Sequence, residues 1–194
     1  MTFFASKDGT CKRAKILTDA QVKAMLATAK TPTDRVVILL SVKAGFRARE
    51  ISGITWPMVT DAERQISSVI ALQNVASKGK TGGREIPMHP DIAAALAELP
   101  GPREGHIVLN RRGRRVTPEA IVMRFQRLYR SLGFEGASSH SGRRTFITKL
   151  ARSIVQAGGS IRDVQHLAGH SSLNVTQGYI EGNSDAKRRA VGML

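Results

Sequence analysis

The chain has a single cysteine and no long apolar run, and these two shortages exclude several classes of protein. Cys11 is the only cysteine among 194 residues, so no disulfide can form within the chain, which is typical of a reducing compartment. The longest strongly apolar run, residues 36–42, is too short to cross a bilayer. Residues 1–8 lack the basic and then apolar layout of a secretion signal. We therefore expect a soluble cytoplasmic protein.

Acidic residues are scarce relative to basic ones. The sequence has 15 Asp and Glu residues against 30 Lys and Arg residues, which gives a net charge of +15. Such an excess predicts a nucleic-acid partner, because basic surfaces release counterions from the phosphate backbone and speed association. A surface that serves only solubility rarely needs so uneven a balance. The hydrophobic share of 41% is ordinary for a globular protein, and the length suits one well-buried domain.

Apolar periodicity and capping signals predict a domain that is mainly α with a small three-stranded antiparallel sheet, an α+β class. The strands are expected at residues 56–60, 67–73 and 84–88, with a glycine-rich turn at residues 77–83. Helices are expected from the capping box Thr18-x-x-Gln21 to Pro32, from about Asp34 to Gly45, and over residues 48–52, 91–99, 117–132, 141–157, 161–168 and 185–191.

Two arginines and two histidines are candidate ligands of a phosphate group. Arg47 follows the second apolar helix, and His140 and Arg143 are three positions apart, which places them on one helix face. His170 lies in the segment Leu-Ala-Gly-His-Ser-Ser. Arginine suits phosphate because its planar fork donates two parallel hydrogen bonds and stays charged. Taken alone, Arg47 would be better explained as an ordinary surface arginine.

A tyrosine in the last third of the chain could supply a nucleophile. Tyr179 lies nine positions after His170, and the chain has only two tyrosines. The other, Tyr129, shares a helical pattern with Phe125 and Leu128, which is typical of a core or interface residue. A phenol surrounded by cations has the components needed to attack a phosphodiester.

The order and spacing of these residues resemble the catalytic domain of the tyrosine recombinase (phage integrase) family, over about residues 18–181. The resemblance implies a site-specific DNA recombinase that cuts and rejoins double-stranded DNA through a 3′-phosphotyrosyl bond, with no metal or nucleotide cofactor. It also implies that Glu50 supports the first arginine. The catalytic set implied is Arg47, Lys80, His140, Arg143, His170 and Tyr179. The alternatives are a type IB topoisomerase-like activity and a non-catalytic DNA-binding regulator that kept the fold.

The catalytic lysine has two candidates in the sequence. The family places a general-acid lysine on the hairpin between the second and third strands, where Lys78 and Lys80 both lie. Lys80 is favoured because Lys-Thr-Gly at a turn tip resembles several integrases, and Lys78 would then contact DNA. Arg144 stands where the family often has histidine, so we expect a DNA-backbone or structural contact there. Further DNA contacts are expected from the loop residues Arg111, Arg112, Arg114 and Arg115.

A metal site is a weaker interpretation of the same histidines. His166 and His170 are four positions apart, as in some zinc sites, but the metalloprotease glutamate is missing and no cysteine or third histidine lies near. The glycine-rich segment at residues 79–83 lacks the Walker spacing, so ATP is not expected.

The chain divides into a basic arm (residues 1–16), the catalytic domain (17–181) and a tail (182–194). The family assembles as a homotetramer on DNA, often by docking a C-terminal segment into a neighbour, and the protein is expected to be a monomer in solution. A frayed tail is an equal alternative. Most members carry a helical domain before the catalytic one, so the chain is either naturally short, which Met1 favours, or a catalytic fragment.

Overall fold

The computed structural model describes residues 14–73, 83–179 and 191–192, and these are mainly helical. Strands β1 (Val69–Leu72) and β2 (Arg84–Pro87) form an antiparallel pair, with Ile70 opposite Ile86. The described helices are α1 (Asp19–Ala27), α2 (Pro32–Lys43), α3 (Ala48–Gly53), α4 (Pro90–Ala97), α5 (Pro118–Ser131), α6 (Ser141–Gln156), α7 (Ile161–Ala168) and α8 (Leu173–Gln177). The predicted class, mainly α with a small antiparallel sheet, is confirmed.

Local capping chemistry explains where the first two helices begin. The Thr18 hydroxyl accepts from the Gln21 backbone N–H at 3.2 Å, and the Gln21 side chain accepts from the Thr18 N–H at 3.0 Å, which completes the capping box. Helix α1 ends at Ala27, before the Pro32 that was expected to end it, and Pro32 instead begins α2. This start is two residues earlier than expected, because proline suits the first turn of a helix.

The expectation of three strands is wrong for the part of the chain described, which contains two. Instead of a strand over residues 56–60, Trp56–Met58 forms a short 3-10 helix. Pro57 explains the difference, because it has no N–H for a ladder and its fixed φ suits a helical turn. Thr60 keeps only an isolated bridge to Ile66. The predicted turn tip at residues 77–82 and the last predicted helix up to residue 190 lie outside the described residues.

Helix α2 forms the centre of the main core. Its residues Val36, Val37, Ile38, Leu39, Leu40, Ser41 and Val42 are all buried. A helix that is apolar on every side must be covered on every side, and α1, α3, α4 and α6 all pack against α2. No helix in the described residues is both long and apolar enough to span a bilayer.

A close approach of two helices positions the start of α6. A Cβ on Gly142 would collide with the Ser41 hydroxyl of α2, so only glycine permits this separation. The approach brings the first turn of α6, which holds Arg143, to the end of α2. The chain leaves α2 there through Gly45, whose φ of 67° is in the left-handed region.

Helices α6 and α7 enclose a second, smaller apolar cluster, the C-terminal cluster. Its buried members are Ile147, Val164 and Ala168, and Tyr179 and Phe146 pack against them. The tyrosine is therefore held by a group of side chains separate from the main core around α2.

Candidate active site

One open cleft brings together five of the six side chains predicted to be catalytic. The cleft has a volume of about 470 Å³ and lies where α3, α6, α7 and α8 meet. Its lining residues are Ala14, Arg47, His140, Arg143, Arg144, His170, Asn174, Val175, Gly178 and Tyr179. The sixth, Lys80, lies outside the described residues, as does Lys78, so the structure gives no position for either.

Arg143 is buried at the base of the cleft and ties three elements together. Its Nη1 donates to the Gly45 carbonyl at 2.7 Å, and its Nη2 donates to the Ala168 carbonyl at 2.5 Å. A guanidinium has five N–H donors, so these two bonds do not exhaust it. Burial, followed by the charge of Arg47, lowers the pKa of Arg143 to about 10. The residue stays protonated at neutral pH and can bind an anion.

Arg47 is held at the start of α3 by the fully buried carboxylate of Glu50. One oxygen of Glu50 accepts from the Arg47 backbone N–H at 2.8 Å, and the other accepts from Arg47 Nη1 at 3.0 Å. The Arg47 side chain remains 35% exposed, so it can meet a ligand in the cleft. Arg84 donates to both oxygens of the same carboxylate, at 3.0 and 3.1 Å. The buried charge of Glu50 is thereby paired on both oxygens.

His170 follows the left-handed residue that ends α7, Gly169, which has a φ of 61°. The Nδ1 atom of His170 lies 2.9 Å from the hydroxyl of the buried Thr176. Burial, followed by the charges of Arg143 and Arg47, lowers the pKa of His170 to about 4. The imidazole is therefore neutral at physiological pH, with one N–H donor and one acceptor nitrogen.

Tyr179 lies against His170 at the wall of the cleft. The two rings stack with their centroids 5.5 Å apart and an interplanar angle of 25°. Helix α8, which was not anticipated from the sequence, brings the tyrosine back to the histidine, and the Tyr179 N–H donates to the Thr176 carbonyl at 3.0 Å. A negative charge on the phenol oxygen would raise the pKa of Arg143, so the two groups are electrostatically coupled.

His140 and Arg144 border the cleft on the side of α6. His140 occupies the N-cap position of α6 and is exposed, with Nδ1 3.5 Å from the Ser139 hydroxyl. Arg144 donates from Nη1 to the carbonyl of Ala14 at 3.0 Å, and so has a partner within the protein. His140 is therefore the more accessible of the two to a group entering the cleft.

The basic loop is a tight turn whose arginines differ in their surroundings. The Asn110 side chain accepts from the backbone N–H groups of Arg112 and Arg114 at 2.9 and 3.1 Å. The side chains of these two residues and of Arg111 are exposed. Arg115 instead donates from Nε to the carbonyl and hydroxyl of Ser52 at 2.9 and 3.1 Å. All four arginines of the loop are exposed, and Arg115 is in addition anchored to Ser52.

Two residues in contact with this constellation were missed by sequence reasoning. The sequence predicts Arg84 only as the start of a strand, because it is one of 30 basic residues and has no distinctive spacing. Thr176 lies in the unanticipated α8. The Ser172 cap of α8 was the only local signal for that helix. Among the described residues, no group of three or more His, Cys, Asp or Glu side chains comes together as a metal site requires.

Comparison with known proteins gives three kinds of match. The sequence profile of the phage integrase family matches residues 15–185. Tyrosine recombinase XerC of Bradyrhizobium diazoefficiens is 35% identical over 103 residues, which is 50% of this chain and 31% of that protein. XerC of Chlamydia caviae is 29% identical over 188 residues, or 89% of this chain and 56% of that protein.

A solved structure also shares the fold. The integrase of transposon Tn1549, in complex with circular intermediate DNA, superimposes with a TM-score of 0.68 at 24% identity, over 96% of this chain and 68% of that one. At this identity the likeness shows a common fold. The chain spans about a third to somewhat over half the length of the two XerC relatives.

Proposed function

The chain belongs to the phage integrase family, and on this basis we propose that it carries the catalytic domain of a site-specific DNA recombinase. One observation carries the proposal: two guanidinium groups, two imidazoles and a phenol line a single cleft. This set is what phosphoryl transfer needs, because that reaction depends on positioning and on cations around the phosphate oxygens. The relatives named tyrosine recombinase, and the integrase solved with DNA, support the same reaction and the same substrate.

The proposed reaction begins with attack of the Tyr179 phenol oxygen on a DNA phosphorus. A bond forms between that oxygen and phosphorus, and the bond from phosphorus to the 5′ oxygen breaks, which leaves a 3′-phosphotyrosyl link and a free 5′ hydroxyl. A phenol titrates near pH 10 and must lose its proton as it attacks. We assign that proton to His140, which is exposed at the border of the cleft.

The cations of the cleft would stabilise the negative charge that builds on the phosphate oxygens. We assign this role to Arg47 and Arg143, with the neutral His170 donating one hydrogen bond. Lys80 would protonate the departing 5′ oxygen. A 5′ hydroxyl from a partner strand then reverses the step. The phosphotyrosyl bond keeps the energy of the broken strand, so no high-energy cofactor enters this scheme.

The charge of the chain and the proposed strand exchange also indicate how the protein assembles on DNA. We propose that the exposed arginines Arg111, Arg112 and Arg114 contact DNA phosphates, and that residues 1–16 lie along the duplex. Exchange between two duplexes needs four active sites, so we propose a homotetramer on DNA in which residues 182–194 dock into a neighbour. A cytoplasmic, DNA-associated location accords with such a substrate.

Covalent trapping tests this function and identifies the target site in the same experiment. The full chain is incubated with duplexes that carry a randomised core and a nick, so that the cleaved fragment diffuses away and the adduct persists. We expect protein–DNA species that survive detergent and disappear on protease treatment. The recovered duplexes are sequenced to define the site, and mass spectrometry of the peptide should find the nucleotide on Tyr179.

The matched control uses the other tyrosine of the chain. Tyr179→Phe should form no adduct, whereas Tyr129→Phe should form adducts at the wild-type rate, because Tyr129 is buried in the core. Adducts from Tyr179→Phe would exclude this nucleophile, and a wild-type chain that forms none with any duplex would contradict the proposal. Relaxation of supercoiled plasmid without joining of sites would indicate topoisomerase activity instead.

A further inference from the structure

We propose that Arg84 is a positioning residue of this site, which holds Arg47 and His170 in their reacting geometry without touching DNA. This inference rests on the proposed function. Arg84 begins strand β2, and its side chain is only 11% exposed. It does not line the cleft, yet it contacts the neighbours of two residues that do. Its guanidinium group contacts both Glu50 and the end of α7.

The guanidinium group of Arg84 fixes the Glu50 carboxylate that holds Arg47. Its Nη1 and Nη2 donate to the two oxygens of Glu50 at 3.0 and 3.1 Å, a bidentate arrangement that sets the plane of the carboxylate. The same two oxygens accept from the backbone and the side chain of Arg47. The terminal torsion of a glutamate is otherwise loosely defined. Arg84 therefore sets the direction in which Glu50 holds Arg47.

The guanidinium group of Arg84 also lies against the turn that precedes His170. A Cβ at Gly169 would collide with Arg84 Nη1, so the end of α7 rests directly on the guanidinium. The guanidinium carbon also lies 5.7 Å from the centre of the Phe46 ring, and Phe46 is the residue before Arg47. One group thus supports the backbone beside both Arg47 and His170.

The electrostatics of the cluster agree with a functional role. Burial is the main cause of the lowered pKa of Arg143 and of His170, but the charge of Arg84 lowers both further, so it adds to the positive potential of the cleft. Burial also lowers the pKa of Arg84 itself. Its Nε is buried with no hydrogen-bond partner among the described residues. Buried charges with unsatisfied donors are costly and are concentrated at functional sites.

A positioning role and a purely structural role predict different measurements. If Arg84 only stabilises the fold, its replacement lowers thermal stability and reduces DNA binding and cleavage together. If it orients Arg47 and His170, cleavage slows while binding is retained, because binding depends on many phosphate contacts and the chemical step depends on a few groups. Arg84→Lys separates these cases, since it keeps the charge and most of the length but loses the planar fork.

The experiment uses the full chain and the duplex recovered with wild-type protein by covalent trapping. Single-turnover cleavage is measured at saturating protein, and binding is measured in a Tyr179→Phe background. We expect Arg84→Lys to cleave about 10- to 100-fold more slowly and to bind within about threefold of its parent, as is typical of residues that support a reactive group. Arg103→Lys is the matched control, because Arg103 also lies over an aromatic ring, at 5.8 Å from Trp56, but makes no contact with Glu50.

A second readout does not depend on catalysis. The backbone N–H of Arg47 donates to Glu50 at 2.8 Å, so its hydrogen-exchange rate reports how firmly that carboxylate is held. We expect about tenfold faster exchange at Arg47 in Arg84→Lys, and no change in Arg103→Lys. If the wild-type chain forms no adduct with any duplex, the proposed function fails, whereas the exchange rate still decides whether Arg84 orients Arg47.

Each possible outcome either supports or overturns the positioning role of Arg84. Slower cleavage with retained binding and faster exchange at Arg47 supports the proposal. A folded Arg84→Lys that cleaves within about twofold of the wild-type rate overturns it, as does a parallel loss of cleavage and binding. If Arg84→Lys does not fold, Glu50→Gln tests the same link from the other partner, because it keeps the shape and removes the charge. Cleavage by Glu50→Gln at the wild-type rate would also overturn the proposal.

Discussion

The surroundings of His170 in the cleft strongly lower its pKa. An ordinary histidine titrates near pH 6.5, whereas burial and the charges of Arg143 and Arg47 lower the pKa of His170 to about 4. This arrangement favours the neutral form, which is the form that the proposed role of His170 as a hydrogen-bond donor requires. The cations that would bind a phosphate therefore also help to keep the His170 imidazole uncharged.

The shifted pKa makes stability depend on pH. The unfolded chain takes up a proton at His170 below about pH 6.5 and the folded chain only near pH 4, so the folded state should lose stability as the pH falls between these values. Because the ring is partly exposed, the effect should be on the order of 1 kcal/mol. Chemical denaturation at several pH values measures it. His170→Asn should lack this component, and His166→Gln, an exposed histidine of α7, should retain it.

Thr176 should decide which nitrogen of His170 carries the proton. Its hydroxyl is buried and lies 2.9 Å from His170 Nδ1, so we expect the hydroxyl to donate there and the N–H to be at Nε2. Thr176→Val removes the donor at nearly constant volume and should slow cleavage about tenfold, whereas Thr176→Ser should not. Nitrogen NMR of the imidazole reports the tautomer. A wild-type mixture of tautomers, or normal cleavage by the valine variant, would contradict this assignment.

The residues of the cleft differ in how far they could be predicted. Arg47, His140, Arg143, His170 and Tyr179 could be identified because each belongs to a short motif with a fixed offset from another residue. Arg84 and Thr176 could not, because their importance comes from contacts between segments that are distant in sequence or from a helix that was not expected. Motif spacing reports chemistry within one element, but it carries no information about which side chain lies beneath another.

At the scale of the elements, local sequence signals predict where a helix begins when capping or proline determines its start. Capping at Thr18 located the start of α1, and the start of α2 lies within two residues of the expected Asp34. The end of α1 at Ala27 was missed, because Pro32 was expected to end that helix and instead begins the next one. The strand expected at residues 56–60 failed because Pro57 outweighed the β-branched residues around it. Helix α8, Leu173–Gln177, is too short to show helical periodicity, so it could not be predicted although it carries the chain to Tyr179.

The contact between α2 and α6 gives a prediction at this scale. Gly142→Ala would place a Cβ against the hydroxyl of Ser41 and push the two helices apart, at a cost of about 1–3 kcal/mol. Thermal or chemical unfolding measures the loss. Gly178→Ala is the matched control, because its φ is −58° and its nearest neighbour would be 3.6 Å away, so it should be close to neutral. An unchanged stability in Gly142→Ala would show that α6 can shift without penalty.

At the scale of the whole molecule, the distribution of charge should govern the affinity for DNA. The exposed loop arginines Arg111, Arg112 and Arg114 are proposed phosphate contacts, and each contact releases counterions from the duplex. Replacing all three with glutamine should reduce the slope of log affinity against log salt concentration by up to about 3. Arg115→Gln should change the slope little, because this side chain is anchored to Ser52. A slope that is unchanged in the triple variant would place the loop away from DNA.

The sequence implies that the cleft residues come together, but it does not show how the fold achieves this. Their order along the chain suggests a shared task, but Arg47 leaves the end of α2 while Tyr179 follows α8, and only the packing of α6 against α2 and of α7 against α6 brings them together. The tyrosine also belongs to the C-terminal cluster rather than to the main core.

The bonds of Arg143 to the carbonyl groups of Gly45 and Ala168 decide how a variant that binds DNA without the proposed cleavage is best made. The guanidinium braces two helix ends in addition to its proposed role at the phosphate, so deleting it would loosen the scaffold, and a loss of activity could not be separated from a loss of structure. Exchanging the phenol of Tyr179 for a plain ring removes a single oxygen and leaves that brace in place. It is therefore the cleaner way to remove the proposed nucleophile.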